Sequence, residues 1–238
     1  QVWSYRMSLM HKTIALPFVI LSVDFTNRGQ VQKLYGLLCE WDRLSPVEAM
    51  ELLDYRFSDY RVRQYAVRVL ENLSDSELTE LLLQLVQVLK YESFHRSPLS
   101  IFLLRRALLN QQEVGHTLFW LLRAEMHDPS CSERYASLML AYLNNAQNHI
   151  PILSLQKDVN TFLENAISKV VQEAQKGKSG NSLRKFAQEE LAKINGMLPE
   201  KSFLCLGSEW EVGRIIVEDC KVMNSKQKPL WVVFQNGD

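Results

Sequence analysis

The stretch "DYRVRQYAVRVL" (residues 59–70) determines the fold class of this chain. Its small and apolar residues recur every three or four positions and share one helical face: Val62, Ala66, Val67 and Leu70. Asp59 stands directly before this face. Aspartate is a preferred N-cap, because its carboxylate accepts hydrogen bonds from the first free backbone N–H groups of a helix. The stretch therefore predicts an amphipathic helix that begins after Asp59.

The same stretch has the pattern of the second helix of a HEAT-like repeat. In that pattern the aspartate caps the helix, Ala66 permits the close approach of a neighbouring helix, and Arg63 reaches a neighbouring repeat. Around it, helices of roughly ten to sixteen residues alternate with short polar connections, as in stacked helix pairs. The pattern favours a solenoid, and an ordinary helical bundle with one matching stretch is the alternative.

Other helix starts are marked by capping sequences. "SPVE" (residues 45–48) and "SDSE" (residues 74–77) each place a serine three residues before a glutamate, which is the pattern of a capping box. "SPL" (residues 97–99) places a proline at the first position of a helix, where its missing N–H is not needed. These sequences predict three further helices.

The last third of the chain has longer amphipathic stretches and ends in a strand-like pattern. Two longer amphipathic stretches, residues 152–174 and 183–194, flank the polar, glycine-bearing loop "QKGKSGNS" (residues 175–182). The final stretch "KVMNSKQKPLWVVFQNGD" (residues 221–238) has the pattern of a strand, a small polar loop and a second strand. The predicted fold is all-α: an α-solenoid of stacked antiparallel helix pairs, similar to HEAT and armadillo repeats, with a short C-terminal β-hairpin.

The composition argues against several kinds of partner and site. Lys plus Arg equals Asp plus Glu at 27 each, so the net charge predicts neither nucleic acid nor an acidic membrane surface as a partner. The four cysteines are scattered without a C-x-x-C pair, which favours reduced thiols of the cytosol over disulfides or a zinc site. The longest apolar run, residues 14–23, contains a proline and is too short to span a bilayer.

No catalytic set is evident in the helical part. His116 has a carboxylate one turn away, but no nucleophile or metal ligand is suitably spaced and its neighbours are apolar, which favours a structural histidine. Two arginine pairs are present, Arg61 with Arg63 and Arg105 with Arg106. Such pairs can bind phosphates, although they more often form solvated faces or salt bridges between helices. The helical part is therefore predicted to be a scaffold without catalytic or metal-binding residues.

Several blocks of the sequence resemble one protein family. "AMELLDYRFSDYRVRQYAVRVL" (residues 49–70), "LLQLVQVLKYE" (residues 82–92), "FLLRRALLN" (residues 102–110) and "VGHTLFWLLRAEMH" (residues 114–127) resemble the helical, or accessory, domain of phosphoinositide 3-kinases. "VEDCKVMNSKQKPLW" (residues 217–231) looks like the first hairpin of the class I kinase N-lobe. The chain is thus similar to part of a class I phosphoinositide 3-kinase catalytic subunit.

This resemblance implies a division of the chain into three parts. The helical domain would cover residues 1–197, a linker residues 198–213, and an incomplete start of the kinase N-lobe residues 214–238. The hairpin is expected because a kinase lobe begins there.

The resemblance also implies that the hairpin loop is the nucleotide-phosphate loop of the family. Met223 and Trp231 would flank the adenine of ATP, and Asn224, Ser225 and Lys226 would approach its phosphates. Backbone N–H groups, a hydroxyl and lysines suit a polyanion, and an indole supplies a flat apolar wall. Without the resemblance, this loop is only a basic hairpin turn.

The function implied is that of a mechanical scaffold in a lipid kinase. The parent enzyme would transfer the γ-phosphate of ATP, with magnesium, to the 3-hydroxyl of a phosphoinositide. This chain contains no D-F-G motif and no catalytic-loop sequence, and phosphoryl transfer needs the groups that those segments supply. The chain alone is therefore expected to be inactive and to bind neither ATP nor magnesium well.

The expected partners belong to the parent enzyme. They are its remaining domains and, through it, a regulatory subunit, a small GTPase and a phosphoinositide membrane, whereas nucleic acid is not expected. The expected location is the cytoplasm, with recruitment to the plasma membrane. The alternative is a free-standing α-solenoid adaptor or decoy without catalysis. Apolar residues crowd the start of the chain and a lone hairpin is marginal in water, and both features favour a piece of a longer kinase.

Overall fold

The computed structural model of the chain describes residues 2–205 and 207–237, and most of them are helical. The residues pack as two units, residues 1–146 and residues 147–238. The described part of the first unit contains nine α-helices: α1 (Arg6–Leu9), α2 (Leu16–Leu21), α3 (Arg28–Glu40), α4 (Pro46–Glu51), α5 (Tyr60–Leu70), α6 (Asp75–Val88), α7 (Pro98–Leu109), α8 (His116–Glu125) and α9 (Ser132–Asn145). The described part of the second unit contains two α-helices and five strands: α10 (Ile150–Gln175), α11 (Gly180–Asn195), β1 (Ser202–Leu204), β2 (Gly207–Ile215), β3 (Lys221–Val222), β4 (Leu230–Trp231) and β5 (Phe234–Asn236).

The helix starts predicted from capping sequences are confirmed. At α4 the Ser45 side chain accepts from the Glu48 N–H, and the Glu48 carboxylate accepts from the Ser45 N–H at 2.7 Å. The same reciprocal pair forms at α6 between Ser74 and Glu77. Ser97 caps α7, with proline at the first helical position as expected. Because each cap satisfies orphan backbone donors with groups only three residues apart, these boundaries are set locally.

Helix α5, the predicted repeat helix, has the expected cap and buried face. The Asp59 carboxylate accepts from the N–H groups of Arg61 and Val62 at 2.9 and 3.0 Å. The side chains of Val62, Ala66 and Leu70 are fully buried.

The helices of the first unit pack in the order expected of stacked pairs. Helix α5 contacts α7, α6 contacts α8, and α7 contacts α9, so that each of these helices packs against the one two places further along the chain. Chain neighbours also pack, with α4 against α5 and α8 against α9. This alternation buries a continuous core between successive layers. The prediction of an all-α fold with a short C-terminal hairpin is confirmed.

The stack is tightly packed at Gly115, where a short π-helical segment (Gln111–Gly115) leads into α8. A Cβ atom at this position would lie 2.2 Å from the Tyr142 hydroxyl and 2.8 Å from the Ala107 carbonyl oxygen. Only glycine therefore allows α7, α8 and α9 to meet as they do.

The second unit combines two long helices with short strands. Helices α10 and α11 pack against each other, and α11 also contacts β2 and β3. Strands β1, β2 and β5 form an antiparallel sheet in the order β1-β2-β5, and β3 pairs with β4 as a separate two-stranded hairpin. Helices and strands share one apolar cluster: Val159, Leu191, Ile194, Leu198, Ile215 and Cys220.

The stretch predicted to be a linker, residues 198–213, contains β1 and most of β2. Helices α10 and α11, which the predicted limits assign to the helical domain, pack in one unit with these strands. The division of the chain into family domains at residues 197 and 213 stays a prediction. In the described residues, no helix is both long and apolar enough to cross a bilayer.

Candidate functional site

The predicted nucleotide loop is a closed hairpin turn. Strands β3 and β4 pair antiparallel, with Lys221 opposite Trp231 and Val222 opposite Leu230. Inside the loop the Met223 N–H donates to the Pro229 carbonyl at 2.8 Å, which extends the ladder by one step. The five predicted residues, Met223, Asn224, Ser225, Lys226 and Trp231, thus belong to one turn and its two strands.

Within the turn, backbone bonds fix the path between the strands. The Ser225 N–H donates to the Met223 carbonyl at 3.0 Å, and the Lys228 N–H donates to the Ser225 carbonyl at 3.2 Å. Lys228 has a positive φ of 48°, a left-handed conformation that costs a residue with a side chain roughly 1–2 kcal/mol. Its ammonium donates to Asn224 Oδ1 at 3.2 Å, which ties the side chain across the turn.

The two faces of the hairpin differ, as the alternation of a strand requires. Val222 and Leu230 point inward and pack against a cluster made by α10 and α11: Val170, Leu183 and Ala187. Met223 and Trp231 are 46% and 59% exposed. The hairpin is therefore held by one face, while a thioether and an indole are presented to solvent by the other.

The polar residues at the tip of the loop are available to a ligand. Asn224, Ser225 and Lys226 are exposed. In the described part of the chain, the side chains of Ser225 and Lys226 make no hydrogen bond or ion pair. A hydroxyl, an amide and an ammonium group therefore face solvent within three consecutive residues.

A basic cavity of about 620 Å³ lies beside the hairpin. Met223 and Asn224 line it from the hairpin, whereas Ser225, Lys226 and Trp231 do not. Four cationic side chains line it as well: Lys178, Arg184, Lys221 and Lys228. None of the described lining residues is a carboxylate, so positive charge predominates in the lining. All five predicted residues are therefore exposed, and two of them also line this cavity.

Two of the cationic side chains that line this cavity, Lys178 and Arg184, were not identified from the sequence. Lys178 belongs to the loop between α10 and α11, where its ammonium contacts Glu173 at 2.5 Å. Arg184 lies on α11 and donates to the Glu218 carbonyl at 2.7 Å. The available signal was the basic loop "QKGKSGNS", but its position relative to the hairpin depends on tertiary packing.

Two side chains that the sequence analysis did not identify, those of Cys220 and Asn195, hold the backbone next to the hairpin. The Cys220 thiol donates to the Ile216 carbonyl at 3.3 Å and accepts from the Val233 N–H at 3.4 Å. Burial raises the pKa of this thiol, which keeps it protonated and unreactive. Asn195, at the end of α11, exchanges two hydrogen bonds with the backbone of Ile215, at 2.7 and 2.9 Å.

The arginine pairs of the helical part are mostly structural. Arg63 is 2% exposed and its guanidinium contacts Glu92 at 2.9 Å, so it reaches a later helix pair as the repeat pattern predicts. Arg105 pairs with Glu71, and Arg106 with an aspartate of α6. Three of the four arginines therefore form salt bridges, of which that of Arg106 joins two helices, and the fourth, Arg61, lies on an exposed face.

His116 is buried and 2% exposed, as the structural interpretation expected. Among the residues that the structure describes, no three His, Cys, Asp or Glu side chains lie close enough to hold a metal ion. That the chain alone carries no catalytic or metal-binding residue stays a prediction. All four cysteines are free.

Comparison with known proteins gives one consistent result. The model of the phosphoinositide 3-kinase family accessory domain (PIK domain) matches residues 1–154. Phosphatidylinositol 3-kinase 2 of Dictyostelium discoideum is 39% identical over 236 residues, which cover 99% of this chain and 12% of that protein. Phosphatidylinositol 3-kinases 1 and 3 of the same organism are 38% and 37% identical over the whole of this chain, which spans 15% and 14% of their lengths.

Proposed function

Because the chain belongs to the phosphoinositide 3-kinase family, we propose that it forms the accessory helical domain and the first kinase strands of a longer lipid kinase. The observation that carries this proposal is the extent of the similarity. Three proteins named phosphatidylinositol 3-kinase match 99–100% of the chain, and the match therefore includes the hairpin as well as the helices.

We propose domain limits at residues 197 and 213. Two observations bear on these limits: the accessory-domain match ends at residue 154, and α10 and α11 pack with the strands. Limited proteolysis of the purified chain tests the limits. First cleavage within residues 198–213 would support them, whereas first cleavage near residues 146–154 would move the boundary to the start of the second unit.

The hairpin residues fit the nucleotide that the family implies. Met223 and Trp231 offer exposed apolar surfaces for a flat base, and Asn224, Ser225 and Lys226 offer donors for phosphate oxygens. ATP would supply the γ-phosphoryl group for transfer. The described residues contain no carboxylate cluster that fits magnesium, so we assign magnesium binding to other segments of the parent kinase.

Within that kinase, the residues of this chain orient the nucleotide. The closed turn presents Ser225 and Lys226 at a fixed position, because the backbone bonds of the loop and the packed inner face of the hairpin hold it. Lys226 would place a positive charge near developing negative charge on the phosphates, and Trp231 would exclude water from one side of the base.

The helical part would serve as a scaffold. A stack of buried helix layers is stiff enough to hold a catalytic lobe relative to other domains, and we propose that its partners are those domains, a regulatory subunit, a small GTPase and, through the parent, phosphoinositide membranes. The proposed substrate is the 3-hydroxyl of a phosphoinositide. The proposed location is the cytoplasm, with recruitment to the plasma membrane.

The test is the mass and activity of the endogenous protein. An antibody against the first unit should detect a band far above 27.6 kDa, and the precipitated protein should phosphorylate phosphatidylinositol with ATP and magnesium. A dominant band near 27.6 kDa without lipid kinase activity would instead support the free-standing adaptor.

The nucleotide role has its own test in the full-length kinase. Lys226→Ala and Trp231→Ala should each raise the KM for ATP at least fivefold, whereas Lys185→Ala, an exposed lysine on the outer side of α11, should leave it unchanged. Equal KM values in all three variants would show that the hairpin is not part of the nucleotide site. The purified 238-residue chain should show no turnover, and any turnover would overturn its assignment as an incomplete lobe.

A further inference from the structure

A groove between α3 and α5 in the first unit has no role in the function proposed above. Its cavity volume is about 470 Å³. Side chains at helical spacing form its two walls, with Tyr35 and Leu38 on α3 and Arg61, Tyr65 and Arg68 on α5. Trp41, just after α3, also lines the groove. The groove therefore combines an aromatic lining with positive charge.

The positive charge in this groove is uncompensated. Arg43, Arg61 and Arg68 line it, are exposed, and make no ion pair with any residue that the structure describes. The described lining contains no carboxylate. Helix α5 contains no acidic residue, and Asp59, its N-cap, is occupied as the helix cap and as the acceptor of the Tyr35 hydroxyl at 2.9 Å. Three like charges along one groove favour an anionic occupant.

The floor of the groove is apolar. Leu38 is 6% exposed, and so is Trp41. The Trp41 Nε1–H is buried without a hydrogen-bond partner among the described residues, whereas buried donors in folded proteins are nearly always paired. Burial raises the pKa of Tyr65 to about 12, so its hydroxyl stays neutral and able to donate. The groove thus offers an apolar surface together with hydrogen-bond donors.

We propose that this groove binds an acidic peptide segment of a partner protein. Arg61 and Arg68 are seven residues apart on α5, or about 10 Å along the helix axis. In an extended, polyproline-like peptide, residues three apart share one face and lie about 9 Å apart. Two carboxylates with that spacing can therefore face the two arginines, while an apolar side chain between them contacts Tyr65 and Leu38. The apolar floor favours a peptide over a bare anion.

The proposal is tested by fluorescence anisotropy on the full 238-residue chain. The probe is a fluorescein-labelled peptide with glutamate at its first, fourth and seventh positions and leucine or tyrosine elsewhere. A second peptide of the same composition has its three glutamates adjacent, and a third has lysine in place of glutamate. The first peptide should bind at least fivefold more tightly than the second, and the third should not bind.

Charge-matched variants identify the binding surface. R61E/R68E should weaken binding of the first peptide at least tenfold, whereas R28E/R96E, which makes the same charge change at exposed positions outside the groove, should have no effect. Thermal melts followed by circular dichroism verify folding, and R61A/R68A replaces the first pair if it fails to fold. Binding should also shift one indole N–H resonance, which Trp41→Phe removes.

Three results would overturn the proposal. The first is that the spaced peptide shows no saturable binding, and the second is that R28E/R96E weakens binding as much as R61E/R68E. The third is that single-stranded RNA or vesicles of phosphatidylserine bind in an Arg61- and Arg68-dependent manner while the peptide does not. Because the groove lies in the first unit, none of these results bears on the nucleotide loop.

Discussion

Replacement of Arg63 by methionine should destabilise the first unit by about 3–5 kcal/mol, the usual cost of breaking a buried ion pair. Arg63 and Glu92 side chains are each 2% exposed, and the guanidinium donates to Glu92 Oε1 through Nε at 3.0 Å and contacts it through Nη2 at 2.9 Å. The same guanidinium donates to the carbonyls of Phe57 and Leu53, both at 2.9 Å. Methionine would leave a buried carboxylate and two buried carbonyls without their donor.

The double variant R63M/E92L distinguishes the cost of an unpaired buried charge from the cost of altered packing. It removes both buried charges, so only the unpaired carbonyls and the imperfect fit of the new side chains remain as costs. We therefore expect R63M/E92L to be more stable than Arg63→Met alone, with a coupling of about 1–3 kcal/mol between the two positions.

The assay is hydrogen exchange read by mass spectrometry, because it reports each unit separately. Backbone amides of α5 and α6 should lose protection in Arg63→Met, while amides of α11 should keep theirs. Arg105→Met is the control: its pair with Glu71 is 55% and 41% exposed, and its loss should cost less than about 1 kcal/mol. If Arg63→Met and Arg105→Met lower the protection of α5 equally, burial of the ion pair does not determine its contribution to stability.

Three further outcomes follow from particular contacts. Ser74→Ala should cost about 1 kcal/mol, because it removes the cap of α6, and the urea midpoint measures this. Gly115→Ala should cost about 1–3 kcal/mol, because its Cβ would lie 2.2 Å from the Tyr142 hydroxyl, and the thermal midpoint should fall accordingly. The hydrogen bond from Lys169 lowers the pKa of Glu190, so its stabilising contribution is present above the ordinary value of 4.5 and is lost as the pH falls through the lowered pKa. Acid titration of α10 and α11 unfolding should therefore show a transition below pH 4.5 that Glu190→Gln weakens.

Local features were predictable from the sequence, and long-range ones were not. The caps at Ser45 and Ser74 depend on groups three residues apart, so the sequence contains the whole interaction. The partner of Arg63 is 29 residues away, and only the fold identifies it as Glu92. Residues 198–213 were predicted to be a linker, because β1 is only three residues long and the sheet is completed only where β2 pairs with β5, about twenty residues later in the sequence.

In the candidate site, too, the local features were predictable from the sequence and the long-range ones were not. Its five predicted residues lie within nine positions of one hairpin, four of them consecutive, so resemblance alone was enough to gather them. The cations on the other wall of the cavity, Lys178 and Arg184, come from a loop and a helix more than thirty residues earlier in the sequence. No local pattern relates them to the hairpin, and their role depends on how α11 packs against β3.

The exposure of Met223 and Trp231 follows from the packing beneath them. A two-stranded hairpin alone is only marginally stable in water, so the β3–β4 register depends on what Val222 and Leu230 contact. Because successive side chains of a strand point to opposite faces, burial of these two against α10 and α11 leaves their neighbours on the outer face. A one-residue slip would bury Trp231 and expose Leu230. The helices of the second unit therefore determine which side chains the loop presents to solvent. If the loop binds a nucleotide as proposed, core changes in α11 should alter that binding without any contact with the nucleotide.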